Sequence, residues 1–415
     1  MAAKQIVVLG GGFAGLWSAV GAARKLDELG LGPADAQVTL INRDAFHCIR
    51  VRNYEAGLAN VRVPLDEVLG PIGVRRVEAD VTGIDPLAKT VSLTARGQPT
   101  TFAYDRLVFA LGSELARPSI PGLVEQGFDV DTYNTAARLN AHLCELPQRT
   151  PSPGRLTVVI VGAGLTGIEA ATEMPSKLRA AIDSAGAAVS ANQWPPRVLL
   201  IDHNPLVGSD MGDEARPVIE QALAGLRIET RLGVSVAAIG PESLTLSTGE
   251  EIATSTVVWC AGLRASPLAR SLGVPQDHWG RVTVDEFLRV EGVSGVFAAG
   301  DVARATLDGT HASVMSCQHG RPMGRFAGHN VVCDLLGQPM LPLHIDWYVT
   351  VLDLGPAGAL YTEGWDRHVV ATGAAAKETK QTINCQRIYP PLTGIRSEIL
   401  AAAAPIVQGA PSIRS

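Results

Sequence analysis

The same short construction occurs twice in this chain, about 150 residues apart. The first copy is Lys4-Gln5-Ile6-Val7-Val8-Leu9-Gly10-Gly11-Gly12-Phe13-Ala14-Gly15, an apolar run of strand length meeting glycines spaced G-x-G-x-x-G. The second is Leu156-Thr157-Val158-Val159-Ile160-Val161-Gly162-Ala163-Gly164-Leu165-Thr166-Gly167. Each runs straight into a segment that reads as a helix. In such a corner the first glycine allows a tight turn, the second lets backbone amides approach a pyrophosphate, and the third packs helix on strand. The helix N-terminus then offers its amides and positive dipole end to the phosphates. Among 43 glycines one match would carry little weight. Two matches, each with a strand before and a helix after, predict two dinucleotide folds. Gly10, Gly12, Phe13, Ala14 and Gly15 would line one cradle, and Gly162, Gly164, Leu165, Thr166 and Gly167 the other.

The strand following each corner usually ends in a carboxylate for the adenosine ribose. Gln37–Ile41 ends instead at Asn42 and Arg43. An amide can hydrogen-bond a ribose hydroxyl without the charge-assisted strength of a carboxylate. Arg197–Ile201 ends at Asp202, and no arginine follows it. A carboxylate there repels a 2′-phosphate, which favours NADH over NADPH. The gap from Gly167 to Asp202 exceeds the usual ~20 residues, so Ser184–Pro196 reads as an inserted loop.

Further strands complete the pattern. Arg75–Ile84 carries Val81, a candidate for backbone contact with adenine, and Thr90–Phe102 alternates like a hairpin. Tyr104–Ser113 ends in small residues, Ala110 and Gly112 among them, which let the chain pass close under a cofactor. Thr256–Gly262 repeats that device with Ala261 and Gly262. Val293–Ala303 brings Gly300-Asp301, a carboxylate placed for a ribityl hydroxyl. The segment Phe46–Val63 holds His47, Cys48, Arg50, Arg52, Tyr54 and Glu55. It reads either as a loop beside the cofactor, with Arg50 or Arg52 near the phosphates, or as a solvated loop with one buried tyrosine.

Composition removes several function classes. A net charge of −6 gives no electrostatic footprint for nucleic acid. No apolar run approaches the ~18 residues of a transmembrane helix, and no signal peptide is read at the N-terminus. The six cysteines contain no C-x-x-C, which argues against a disulfide framework, a zinc ribbon and a paired redox dithiol. No metal site is expected, and the default compartment is the cytoplasm.

These residues together resemble the two-dinucleotide flavoprotein reductases (pyridine nucleotide-disulfide oxidoreductase-like). Thr256–Gly262, Gly162–Glu169 and Val296–Val302 look most like type II NADH dehydrogenases, over about residues 4–335. The resemblance implies an α/β fold of two Rossmann-like domains, the second inserted in the first, plus a small C-terminal α+β domain covering the flavin. Boundaries are expected at 1–122 and 281–342 for the FAD-binding parts, 123–280 for the NAD(P)H-binding domain and 343–415 for the last. It implies FAD on Gly10, Gly12 and Gly15 with Asp301 on its ribityl chain, and NADH on Gly162, Gly164 and Gly167. Glu169 would sit where nicotinamide meets flavin; otherwise it is a helix N-terminal carboxylate stabilised by the dipole. Backbone amides around Cys317–His319 would favour charge on the reduced ring.

Where that family carries A-Q-x-A-x-Q beside the flavin, this chain has Ser313-Val314-Met315-Ser316-Cys317-Gln318, so Gln318 alone remains. Pro322 would kink or restart the following helix. The expected reaction passes two electrons from NADH through flavin to a small quinone-like acceptor, with Glu169, Cys317 and Gln318 as catalytic candidates. The rivals are a thiol or sulfur reductase using Cys48 or Cys317, a reductase of a ferredoxin-like protein, and a flavin-binding NADH sensor. A homodimer and at most peripheral contact with the inner face of the cell membrane are compatible with the chain. In the C-terminal part Trp347–Leu354 and Gly358–Thr362 suggest strands, Lys377, Lys380 and Asn384 a helix, and Ile399–Val407 a packed terminal helix. Trp347, Tyr348 and Trp365 read either as lining of the acceptor pocket or, the preferred reading, as core aromatics.

Overall fold

A computed structural model describes residues 3–186, 194–411 and 413. Two five-stranded, all-parallel sheets organise the chain. In the first, Lys4–Leu9 lies between Ala36–Asn42 and Arg106–Phe109, with Arg75–Glu78 and Val296–Ala298 outermost. In the second, Thr157–Val161 lies between Arg197–Asp202 and Thr256–Trp259, with Glu229–Leu232 and Gly127–Phe128 outermost. The two sheets share one winding. In each the chain leaves the central strand in one direction and returns on the other side, which creates a switch point at the strands' carboxyl ends. Ile6–Leu9 and Val158–Ile160 have no exposed surface, as continuous apolar runs covered on both faces must.

The late strand Val296–Ala298 pairs with Arg106–Phe109, so residues nearly 190 apart complete one sheet. Helix Cys317–Leu336 then crosses helix Phe13–Glu28 at backbone contact. A Cβ on Gly324 would stand 2.4 Å from the Ala14 carbonyl oxygen, and one on Gly328 2.2 Å from that of Ser18. Only glycine allows that approach. Pro322 does not break the helix, which is continuous from Cys317 to Leu336. The proline sits in its second turn, where it removes one i→i−4 bond without ending the helix.

Other elements depart from expectation in detail. Arg75–Ile84 is two strands, Arg75–Glu78 in the parallel sheet and Asp80–Asp85 in a separate antiparallel one, parted at Ala79. The segment Phe46–Val63 contains a short ladder, Phe46–Cys48 with Arg62–Pro64. The helix after the second glycine corner runs Leu165–Ala185, and residues 187–193 of the expected insertion lie outside the described residues. Ser113–Leu115 pairs antiparallel with Leu263–Ala265 and ties the two sheet units together. The C-terminal part is an antiparallel sheet of Val349–Asp353, Ala359–Glu363 and His368–Thr372 followed by helix Gly373–Thr382. Terminal helix Arg396–Ala402 buries Ile399 and Leu400 in the first core. Among the described residues no helix is long and apolar enough to cross a membrane.

Candidate functional site

The two glycine corners are built alike. Gly10 has φ +98° and Gly162 φ +107°, left-handed values that exclude most side chains. A Cβ on Gly15 would lie 1.8 Å from the Gly10 carbonyl oxygen, and one on Gly167 1.7 Å from that of Gly162. The middle glycines differ. A Cβ on Gly12 would meet nothing within 4 Å, and one on Gly164 only Asp210 Oδ2 at 3.8 Å. Outer glycines are thus fixed by the protein's own backbone, and middle ones border open space. Phe13 and Ala14, and Leu165 and Thr166, begin the two helices at these corners. Ala110 and Ala261 abut the first glycine of their respective corners, and Gly112 and Gly262 both have positive φ.

Each strand-end side chain fastens its glycine turn. Asn42 Oδ1 accepts from the Gly11 amide at 2.8 Å, and Asp202 Oδ2 from the Ala163 amide at 2.5 Å. The amide at position 42 has a reason that spacing could not disclose. Asn42 Nδ2 donates to the carbonyl oxygens of Asp44 at 3.1 Å and Phe46 at 3.4 Å, where a carboxylate would face acceptors. Arg43 beside it is exposed, and Val81 is half-buried against the first core. His47 lies under the first corner: its Nδ1 bonds the Gly11 carbonyl at 2.8 Å, and its Nε2 is buried without a protein partner. Burial pushes its pKa down to about 4, so the ring stays neutral.

Beside the first corner lies a half-buried polar centre. Ser113 Oγ donates to Asp301 Oδ2 at 2.6 Å, and Arg50 Nη1 donates to Ser113 Oγ at 2.8 Å while standing 3.8 Å from Asp301. Arg50 is also ion-paired with Asp131. Burial raises the Asp301 carboxyl above its ordinary range, against the pull of Ser113 and Arg50. Gly300, at φ +77°, brings this carboxylate over Ala14 at the start of the first helix. The two arginines of the Phe46–Val63 segment go different ways: Arg50 joins Asp301, whereas Arg52 forms a fork with Glu55 at 2.8 Å on both branches.

The N-terminus of helix Cys317–Leu336 faces the same centre and is capped by Ser316. Gln318 Oε1 accepts from the Val349 amide at 3.3 Å, which joins this helix to the C-terminal sheet. His319 Nδ1 accepts from the Val314 amide at 2.9 Å, placing its proton on Nε2, and burial holds it near 4. Buried Tyr348 stacks on Trp365 at 4.5 Å and Trp365 on His311 at 4.2 Å, while Trp347 and Trp365 are half-buried against the first core. Burial raises the thiols of Cys317 and Cys48 above the usual range, so neither is held as a thiolate.

Glu169, in the second turn of its helix, is buried and ion-paired with Lys380. It also accepts from the Asp353 amide at 3.1 Å, and Lys380 Nζ donates to the Val351 carbonyl at 2.7 Å. Burial raises the Glu169 carboxyl and the lysine opposes the rise. Asp353 in turn holds Tyr54 Oη at 3.1 Å and Lys377 Nζ at 2.5 Å. Tyr54, Asp353, Lys377 and Lys380 line one wall of a cleft of about 750 Å³, bounded also by Arg52 and Glu173, and Glu169 reaches it only through its ion pair with Lys380. Lys380, Asp353, Tyr54 and Ser113 had no role assigned from sequence, because each acts through partners far along the chain.

The features fit dinucleotides: two cradles whose middle glycine faces free space, a buried imidazole nitrogen without a partner, and a carboxylate over the first helix. A family model described as pyridine nucleotide-disulphide oxidoreductase matches residues 4–324. An NADH dehydrogenase-like protein of Mycobacterium tuberculosis is 58% identical over 407 residues, covering 98% of this chain and all of the relative. A demethylphylloquinone reductase of Synechocystis is 27% identical, covering 86% of each. Among solved structures, NDH2 from Plasmodium falciparum superposes with a TM-score of 0.76 at 12% identity, covering 97% of each chain.

Proposed function

Because the chain belongs to the pyridine nucleotide-disulphide oxidoreductase family, we propose that it carries two electrons from NADH through FAD to a quinone-like acceptor. It is an NAD(P)H oxidoreductase, and its cofactors are FAD and NADH. The quinone-like acceptor is the finer step, and the demethylphylloquinone reductase activity named for one relative supports it.

When bound, FAD supplies the hydride-accepting and electron-passing chemistry. The chain supplies placement. Gly10, Gly12 and Gly15 would hold one pyrophosphate against helix amides, and Asp301, oriented by Ser113 and Arg50, would accept from ribityl hydroxyls. Gly162, Gly164 and Gly167 would hold the NADH pyrophosphate, and Asp202, which fastens that turn, would be the carboxylate for its ribose. The amides at Cys317–His319, with their helix dipole, favour negative charge at the end of that helix. Two-electron reduction of a quinone consumes two protons and hydride transfer brings one, so one more comes from solvent. Lys380 in the wall of the cleft and Glu169, ion-paired behind it, are the groups to hold it. The observation that carries this reading is the pair of identically wound sheets with open middle glycines at their switch points. The same reading puts the protein in the cytoplasm, with membrane contact at most peripheral.

Anaerobic stopped-flow reoxidation of the NADH-reduced protein by quinones, disulfides and oxygen tests the acceptor. Fastest reoxidation by a quinone is expected. Fastest reoxidation by a disulfide or by oxygen would refute the quinone assignment and leave the NADH half-reaction standing.

A further inference from the structure

Where helix Cys317–Leu336 packs on the first helix, Arg321 is half-buried and Arg325 buried on one face, with no carboxylate to meet them among the described residues. Arg321 and Arg325 are one helical turn apart, and both guanidinium groups lie over the ring of Trp17, at 5.7 and 4.1 Å from its centroid. Arg325 is only 2% exposed. The Nε of each is buried without a hydrogen-bond partner. Among the described residues the charges facing them are of the same sign: Arg321 feels Arg387, and Arg325 feels Arg321. Among the described residues the one titratable group of other character beside them is Cys317, whose thiol burial raises. The next turn carries His329, but that ring faces Lys25, Arg24 and Glu28 and belongs to a separate cluster.

Burying unpaired guanidinium groups is unfavourable, and like charges one turn apart add to the cost. Stacking on an indole offsets part of it. The remaining compensation on the page is small. Arg321 Nη2 donates to Gln408 Oε1 at 2.9 Å, a neutral acceptor on the C-terminal tail, and Trp17 Nε1 is occupied with the Ile388 carbonyl at 3.2 Å. Planar guanidinium forks stacked on an aromatic ring are the arrangement that binds phosphate oxygens in pairs.

We propose that the seam between Trp17 and the C-terminal tail is a phosphate-binding site, with Arg321 and Arg325 as its ligands and Gln408 as the neutral side chain that a phosphate displaces. The ligand is a phosphate group, either free in solution or carried on a lipid headgroup. The half-buried Arg321 is its entry, and Arg325 the charge behind it.

Calorimetric titration of the flavin-bound protein with inorganic phosphate, at constant ionic strength, tests the free form. Sedimentation with phosphatidylglycerol or phosphatidylcholine vesicles tests the lipid form. Saturable 1:1 phosphate binding, weakened at least about tenfold in Arg321→Gln and tightened in Gln408→Ala, supports the site with a free ligand. No binding of phosphate, but Arg321-dependent binding to the phosphatidylglycerol vesicles alone, supports the lipid form. Flavin content and NADH-driven bleaching report that both variants are folded. If neither phosphate nor vesicles bind, or if binding is the same in wild type and Arg321→Gln, the proposal is overturned.

Discussion

Replacing Gly12 by alanine separates what the protein needs from what a dinucleotide needs. Gly12 has φ −72° and ψ −171°, ordinary extended backbone, and an added Cβ meets no protein atom within 4 Å. The chain has nothing to lose there. Such a substitution stabilises a fold by ~0.4–1 kcal/mol, through reduced freedom of the unfolded chain. The methyl group would instead occupy the space through which a pyrophosphate oxygen reaches the amides. One charge-assisted hydrogen bond lost is worth about 1.5–3 kcal/mol, or roughly 10- to 150-fold in FAD affinity. Gly15→Ala has the opposite character, because its Cβ would stand 1.8 Å from the Gly10 carbonyl oxygen; that variant is expected to lose the fold. Thermal unfolding of flavin-stripped protein and fluorescence titration with FAD separate the two effects. A Gly12→Ala protein that binds FAD as tightly as wild type, or whose stripped form melts earlier, would refute the reasoning.

Gly164→Ala should keep FAD and raise KM for NADH by a similar factor, because the same opening serves the second cradle; steady-state kinetics with intact flavin absorbance would check it. Glu169→Gln leaves Lys380 buried without its counter-charge and should cost about 3–5 kcal/mol in chemical denaturation, most of it recovered by adding Lys380→Met. His47 and His319 are held near pH 4 when folded, against about 6.5 unfolded, so the unfolded chain binds more protons between those values. Stability is therefore full above pH 6.5 and falls as pH drops toward 4, by on the order of 3 kcal/mol for each ring; in His47→Gln, unfolding followed against pH should show a shallower fall. Cys48→Ser and Cys317→Ser should retain NADH-driven turnover, measured with the best acceptor, since burial keeps both thiols protonated.

The cradles were legible because each follows a local rule: a strand, glycines at fixed offsets and a helix, with Ala110 and Ala261 arriving at the same station in both sheets. Gly300-Asp301 was legible for the same reason, once two dinucleotide folds preceded it. What stayed hidden depends on partners distant in the chain. Ser113 reaches Asp301 across 188 residues, and Lys380 reaches Glu169 across 211. No periodicity carries such a pairing. Asn42 looked like a weakened ribose contact, yet its amide is demanded by the carbonyl oxygens of Asp44 and Phe46, which only the folded loop brings to it. The break at Ala79 and the passage of Pro322 through an unbroken helix are tertiary outcomes that overrode local preference. Arg50 and Arg52 were equivalent in sequence, and Asp131 with Ser113 on one side and Glu55 on the other decided between them.

The most direct test of the account is the visible spectrum of the purified protein under anaerobic titration with NADH. It predicts one FAD per chain whose absorbance is bleached by one equivalent of NADH, with Gly164→Ala needing far more. A protein without flavin, or a flavin band that NADH leaves unchanged, would contradict it.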